Sequence, residues 1–351
     1  MRVSTPNRLR VLIVRVGAMG DVLHALPAVA ALRQKNPWCH IGWAIEPAWW
    51  PLLEASDGSR PLVDRVHEVP TRAWKRRPFS LQTAREIAGL RRELRAGRYD
   101  ICVDLQGSIR SAMIGRLSGA KRLVGPEEPR ERQARMLYTE RVRTESVHVI
   151  EQACELLGGA VKMELTPGVA ALPTDEDARA HCAEALIKFG VVNGERFVLL
   201  APTAGWGAKM WPTGRFRELA VRLRTAGFRV VVNAASEKDI VARQVAAGGV
   251  AEIFACGVGE LASVVRAATL VVGGDTGPVQ MAGALGTPAV ALFGPTDPAR
   301  TGPQRFPGSR VRVLRDPASV VDHRRHTATE AGLARIGVDE VFEAAMEMIY
   351  K

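Results

Sequence analysis

Apolar runs of strand length alternate with stretches of helical spacing along the chain, and after one interruption the alternation starts again. Residues 10–16 read as a buried strand, followed by the loop Gly17-Ala18-Met19-Gly20 and a helix from Asp21. Residues 41–45 and 99–105 are further strands, the latter preceded by a helical pattern over 81–96. Strands that are apolar at successive positions belong in parallel sheets covered by helices on both faces. The stretch 166–177, with Pro167, Gly168 and Pro173, breaks the pattern and reads as a linker. Beyond it come strand 196–201, helix 212–226, strands 228–233 and 252–255, helix 259–267, strand 269–273, helix 277–285 and strand 288–293. The expected fold is therefore α/β, with two Rossmann-like doubly wound parallel-sheet domains over residues 1–170 and 171–351. At 351 residues the chain is long enough for two cores. The amphipathic closing helix, 338–350, belongs to the second domain or packs back on the first.

In such sheets ligands bind beyond the carboxyl ends of the strands, so the chemistry is sought in loops that follow strands. The first is Val16-Gly17-Ala18-Met19-Gly20-Asp21. Its glycines let the backbone approach a ligand, and a helix N-terminus favours an anion. It is not GxGxxG, which speaks against a dinucleotide-dependent oxidoreductase. Asp21 has two readings: a helix cap, the commoner job on this loop alone, or a carboxylate that deprotonates an acceptor hydroxyl. The second loop runs from Ala201 to Pro212 and carries one lysine, Lys209. With Thr203 and the backbone N–H groups it suits a diphosphate, where the bland alternative is a solvated surface loop. The third is Gly273-Gly274-Asp275-Thr276-Gly277-Pro278. Thr276, Gly277 and the helix start suit a phosphate, or Asp275 or Thr276 is simply a cap; Pro278 donates no N–H. Phe293-Gly294-Pro295-Thr296-Asp297-Pro298 reads as a rigid turn beside them. Together these loops point to a phosphorylated ligand in a cleft between two domains.

The charge agrees. With 48 Lys+Arg against 37 Asp+Glu the net charge is +11, which draws polyanions such as nucleic acid, anionic lipid or a phosphorylated sugar. Nucleic acid would explain none of the strand-end loops. Arg72-Ala73-Trp74-Lys75-Arg76-Arg77 combines bidentate donors with a flat aromatic face, although such a run taken alone is more often a solvated surface. Gln106 and Arg110, which follow Asp104, and Arg130 extend a candidate site for an acidic acceptor. The five cysteines show no CxxC spacing, so neither zinc nor a disulfide framework is expected and a reducing cytoplasm is. No secretory h-region and no apolar run near the ~20 residues of a membrane span is present, which suits a soluble protein able to sit on a membrane.

Four segments taken together resemble a known family: 11–21 ending Met-Gly-Asp, Lys209-Met210-Trp211-Pro212, Gly274-Asp275-Thr276-Gly277 and 293–298. The family is glycosyltransferase family 9, the ADP-heptose:lipopolysaccharide heptosyltransferases, and within it the heptosyltransferase I branch. The resemblance implies a GT-B fold, two Rossmann-like domains facing across a cleft. It also implies inverting transfer of heptose from ADP-L-glycero-D-manno-heptose to a Kdo residue of the lipopolysaccharide inner core. No metal or other cofactor is expected. The partners would be ADP-heptose and an anionic lipid-linked core oligosaccharide, and the enzyme would be cytoplasmic, peripheral at the inner face of the cell membrane. Residue by residue, Asp21 becomes the general base and Lys209 the catalytic phosphate contact. Met19, Gly20, Thr203, Ala204, Asp275, Thr276, Gly277 and Gln280 surround the donor, with Glu237 on its adenosine side. Arg72, Lys75, Arg76, Gln106, Arg110 and Arg130 surround the acceptor. The sequence departs from the pattern twice: Gln280 stands where the family has histidine in Asp-Thr-Gly-x-x-His, and Ala204 replaces the second of two hydroxyl residues. Glutamine hydrogen-bonds but cannot become cationic beside a leaving diphosphate. A same-fold transferase for another donor or acceptor, and a sugar-nucleotide binder without turnover, therefore stay open as alternatives.

Overall fold

In the computed structural model, which describes residues 8–192, 194–322 and 324–350, the chain divides into two units at Pro173/Thr174. The first unit contains β1 (Arg10–Val14), α1 (Met19–Lys35), β2 (His40–Ile45), β3 (Arg65–Glu68), α2 (Thr71–Arg76) and α3 (Leu81–Ala96). It continues with β4 (Ile101–Asp104), α4 (Ile109–Leu117), β5 (Arg122–Pro126), β6 (Glu140–Val142) and α5 (Val149–Val161). Its sheet is parallel throughout, in the order β3-β2-β1-β4-β5-β6.

The second unit opens with α6 (Glu176–Lys188), β7 (Phe197–Ala201), α7 (Thr213–Thr225), β8 (Arg229–Ala234), α8 (Ile240–Ala246), β9 (Glu252–Ala255) and α9 (Val258–Ala267). There follow β10 (Leu270–Gly274), α10 (Gly277–Leu285), β11 (Ala289–Phe293), α11 (Pro298–Thr301), β12 (Val311–Arg315) and α12 (Val338–Tyr350). Its parallel sheet runs β12-β11-β10-β7-β8-β9. Counted within each unit, both orders are the doubly wound 3-2-1-4-5-6.

The central strands are Val-, Ile- and Leu-rich because both faces are covered. Leu12, Val14 and Cys102 pack with Leu90 and Leu94 of α3 and Ala112 and Ile114 of α4, while α1 and α5 lie side by side. In the second unit Phe216, Leu219 and Leu223 of α7 join Trp211 against Val198, Leu200, Val272 and Leu292. The closing helix α12 buries Val338, Val341, Ala344 and Ala345 in this same core, which places it with the second unit rather than on the first.

Two local departures from the sequence reading affect the site. β1 stops at Val14, two residues early, and α1 begins at Met19, two residues before Asp21. The basic run 72–77, given no element in the sequence reading, is largely the short helix α2. Cys39, Cys102, Cys154 and Cys182 are buried and Cys256 half-buried. Burial pushes the thiols up, Cys39 and Cys182 to about 11, Cys154 and Cys256 to about 12, so they are poor nucleophiles. Among the described residues no helix is long and apolar enough to cross a membrane.

Candidate functional site

Strand order reverses between β1 and β4 in one unit and between β7 and β10 in the other, so those strand ends are where a ligand is expected. After β1 the backbone turns through Arg15–Ala18 into α1. Val16 N–H donates to Gln106 Oε1 at 2.8 Å, tying this turn to the loop after β4. Ala18 occupies the N-cap, and alanine supplies no capping oxygen. Asp21, in the first turn of the helix, does so from inside: its Oδ2 accepts from Ala18 N–H at 3.1 Å. Its Oδ1 pairs with Arg15 Nη2 at 3.0 Å, and the carboxylate keeps 41% side-chain exposure. Arg15 also donates to Asp21 O and to Leu105 O. Cap and exposed carboxylate are thus one residue. Met19 and Gly20, half-buried in the same turn, lie just before it.

The loop after β4 is fastened by Asp104, which is fully buried and accepts from Gln106 N–H, Gly107 N–H, Ser111 Oγ and Tyr138 Oη at 2.8–3.1 Å. Burial raises its pKa although all four donors pull the other way. Gly107 has φ +69°, and a Cβ there would stand 3.0 Å from Arg130 N, so only glycine allows the 129–131 segment to lie on this loop. Glu131 locks the contact by donating its N–H to Gly107 O and accepting from Ile109 N–H. The outcome is a groove of about 490 Å³ lined by Gln106, Ser108, Ile109, Arg110, Met113, Arg130 and Glu131. Three of the residues expected at the acceptor therefore meet in one groove.

The other three do not line it. Arg72, Lys75 and Arg76 are exposed on α2. Glu46, itself buried, holds the start of that helix through Thr71 Oγ1 at 2.7 Å. Arg72 lies over the Trp49 ring, 5.0 Å from its centroid, and Trp49 in turn abuts Gly17. Among the described residues, Lys75 and Arg76 make no ion pair.

At the switch point of the second unit a glycine pair sets the spacing. A Cβ on Gly274 would meet Lys209 O at 2.7 Å, and one on Gly273 would meet Ala201 O at 2.8 Å. The loop after β7 is clamped from behind: Ala208 N–H donates to His326 O, Thr329 Oγ1 to Met210 O, and buried Trp211 Nε1 to Ile336 O. Lys209 Nζ reaches Asp275 Oδ2 at 2.6 Å, with side-chain exposures of 18% and 9%, and lies 5.9 Å from the Trp206 ring centroid. Asp275 also accepts from Thr296 Oγ1 at 2.9 Å and from Gln280 Nε2 at 2.8 Å. Gln280 is buried and donates as well to Thr301 O at 2.8 Å. Expected beside the donor, it is bonded to the carboxylate that pairs with Lys209. Thr276 is the N-cap of α10, yet its side chain makes no capping bond and turns back to Gly274 O. Thr203 and Ala204 are half-buried in the loop after β7, and Gly277 opens α10. Glu237 is exposed in the loop after β8, the strand next to β7.

Sequence reading missed Arg15, Asp104, Tyr138, Trp49 and Glu131, and took Thr296 for part of a turn only. Asp104 and Arg15 left one signal each: a charge at the end of an apolar strand run. Tyr138 and Glu131 left none, because their roles depend on a segment folded back from 22–34 residues away.

The family model described as glycosyltransferase family 9 (heptosyltransferase) matches residues 87–319. Lipopolysaccharide heptosyltransferase 1 of Salmonella typhimurium is 30% identical over 312 residues, covering 84% of this chain and 91% of that protein. The Pseudomonas aeruginosa protein of the same name is 28% identical over 307 residues, covering 84% and 81%. In structure, the E. coli heptosyltransferase WaaC with ADP superposes with a TM-score of 0.78 at 26% identity, covering 97% of this chain and 100% of that one. A family 9 glycosyltransferase from Veillonella parvula gives a TM-score of 0.81 at 20% identity, covering 97% of each chain, a likeness of fold. With its paired Rossmann-like units of GT-B type and these matches, the chain belongs to glycosyltransferase family 9.

Proposed function

We propose that this glycosyltransferase moves heptose from ADP-heptose, with inversion, onto a Kdo residue of an anionic lipid-linked core oligosaccharide. The transfer is placed on the cytoplasmic side, at the inner face of the membrane. The observation that carries the reading is the charge chosen at each switch point: a half-exposed carboxylate, Asp21, in the first unit and an ammonium, Lys209, in the second. A displacement at an anomeric carbon is served by those two charges. The acceptor hydroxyl oxygen bonds to the anomeric carbon as its proton passes to Asp21, and the bond from that carbon to the diphosphate oxygen breaks on the opposite face. ADP leaves with the electron pair, and its new charge falls to Lys209 and the N–H groups at the start of α10. In this reading no metal shares that work. Arg110, Arg130 and Gln106 of the groove, with Arg72, Lys75 and Arg76 of α2, hold the acidic acceptor. Support comes from relatives named as lipopolysaccharide heptosyltransferases and from the WaaC structures with ADP and ADP-2-deoxy-2-fluoro heptose.

The test incubates the protein with ADP-heptose and a Kdo-lipid acceptor, with and without EDTA, and reads the product by mass and the new linkage by NMR. A product heavier by one heptose, of inverted configuration and unaffected by EDTA, is expected. ADP binding without product would make the chain a sugar-nucleotide binder; product only with another ADP-sugar would move the donor assignment.

A further inference from the structure

The segment from Arg72 to Arg98 holds nine lysines and arginines against two acidic residues, a large part of the excess positive charge of the protein. Both acids are half-buried and already partnered. Glu86 accepts from Trp74 Nε1 at 2.9 Å and lies 3.5 Å from Arg77, and Glu93 contacts His67 Nδ1 at 2.6 Å and Arg65 at 3.3 Å. The buried side of α3 is Thr83, Leu90 and Leu94. Its exposed side, at spacings of four and three, is Leu81, Arg85, Ala88, Arg92 and Arg95, a stripe without an acid. At the head of this stripe the turn between α2 and α3 presents Phe79, fully exposed, beside Leu81 at 78% exposure. The turn is ordered: Ser80 Oγ accepts from Thr83 N–H at 3.0 Å, and Thr83 Oγ1 donates to Arg77 O at 2.7 Å. Phe79 is therefore held outward by the turn.

A basic helical stripe led by two outward apolar side chains has the chemistry of an interfacial membrane contact. We propose that the outer face of α3 and the 77–81 turn dock on an anionic lipid bilayer. Phe79 and Leu81 enter the headgroup region and Arg85, Arg92 and Arg95 lie against lipid phosphates. The purpose, though not the geometry, rests on the lipid-linked acceptor proposed above. α2, which carries Arg72, Lys75 and Arg76, leads straight into this turn, so docking would bring those residues to the surface from which such an acceptor projects.

The whole protein is sedimented with phosphatidylethanolamine–phosphatidylglycerol vesicles and with pure phosphatidylcholine vesicles, and turnover is measured on a water-soluble, deacylated acceptor. Wild type should pellet with the anionic vesicles and be released by salt. Replacing Arg85, Arg92 and Arg95 together by Gln should lower that partition about a hundredfold, the weight of three basic side chains at an anionic surface. Phe79→Ser with Leu81→Ser should lower it by about tenfold or more. Both variants should match wild type on the soluble acceptor, and the triple Lys variant at 85, 92 and 95 should keep vesicle binding. All these side chains are exposed, and circular dichroism verifies the fold. Equal sedimentation of wild type and variants would overturn the proposal, as would failure of wild type to distinguish the two vesicle types. Loss of soluble-acceptor turnover in the Phe79, Leu81 variant would assign the segment to the acceptor site instead. Anionic-vesicle binding that responds to the variants while no acceptor is glycosylated would leave this surface standing and refute the proposed reaction.

Discussion

Replacing Lys209 by alanine removes the cation at the β7/β10 strand ends and leaves its counter-charge behind. Asp275 cannot turn away, because Thr296 and Gln280 hold both carboxylate oxygens and only 9% of its side chain is exposed. A diphosphate seated on these loops would lose one attraction and meet a fixed negative charge. At an effective dielectric near 20, unit charges about 4 Å apart interact by about 4 kcal/mol. Lys209 is 18% exposed and water screens part of that, so each effect is set at about 1–2 kcal/mol. ADP affinity should therefore fall by about 2–4 kcal/mol, or about 30- to 1,000-fold. The informative variant is the double one, Lys209→Ala with Asp275→Asn. Asparagine keeps an oxygen for Thr296 and removes the stranded charge, so about tenfold of the lost affinity should return. Isothermal titration with ADP at fixed ionic strength measures both. If Asp275→Asn deepens the loss caused by Lys209→Ala, Asp275 binds the ligand directly and does not act through the lysine. Unchanged ADP affinity in the single variant would remove Lys209 from the donor site.

Asp21→Asn should lower turnover by about 10²–10⁴-fold with ADP affinity and Tm near wild type, since the amide oxygen can still accept from Ala18 N–H; a folded variant with full turnover would leave Asp21 a cap. Changing Arg72, Lys75 and Arg76 to Ala should raise the acceptor KM and leave the donor KM in place, because all three belong to α2 of the first unit; equal movement of both, or of neither, would make α2 a solvated face. His67 is fully buried between Glu93 and Tyr99, and burial holds its pKa below the ordinary value despite the opposing pull of Glu93. Its proton is thus bound more tightly by the unfolded chain, so this contribution to stability is present above about pH 6.5 and is lost as pH falls below it, with a slope approaching about 1.4 kcal/mol per pH unit. A His67→Gln variant whose Tm falls between pH 7 and pH 5.5 as steeply as wild type would show that other groups carry the slope.

The two parallel sheets were legible because strands such as Val11–Val14 and 198–201 are apolar at each position and leave no face for water. The two edge strands of the first sheet were not, although β9, an edge of the second, was. Arg65–Glu68 and Glu140–Val142 are short, carry charges and meet a neighbour on one side only, so neither length nor hydropathy marks them. The loops of the site were legible for the same reason as the central strands, since each begins where such a run stops. The roles inside them were less so. Asp275, Gln280 and Thr296 are consecutive in no pattern; they converge because Gln280 lies within α10 and Thr296 follows the adjacent strand β11. Gln280 in place of a histidine reads, from the sequence, as a change at the ligand. The structure adds that its amide is buried between Asp275, the partner of Lys209, and Thr301 O, contacts that need no charge.

Both units use one physical device at the switch point. In each, the group assigned to chemistry is held before any ligand arrives by an opposite charge: Asp21 by Arg15 at 3.0 Å, and Lys209 by Asp275 at 2.6 Å. In each, the holding charge is itself fixed, Arg15 by Leu105 O and Asp275 by Thr296 and Gln280. A lone carboxylate or ammonium at a strand end would be solvated, and its water would have to reorganise as charge moves during transfer. A pair that is already neutral and already oriented avoids that step. The two pairs are not equivalent, however. Asp21 keeps 41% side-chain exposure and has two oxygens, each able to accept more than one hydrogen bond, so an acceptor hydroxyl can join Arg15 and Ala18 without displacing either. Lys209 is more enclosed, and in the proposed reaction a diphosphate would share it with Asp275. On that proposal the first pair would receive a proton while intact, whereas the second would have to loosen as the donor binds. For that reason the double variant at Lys209 and Asp275 is more informative about the donor than any single substitution.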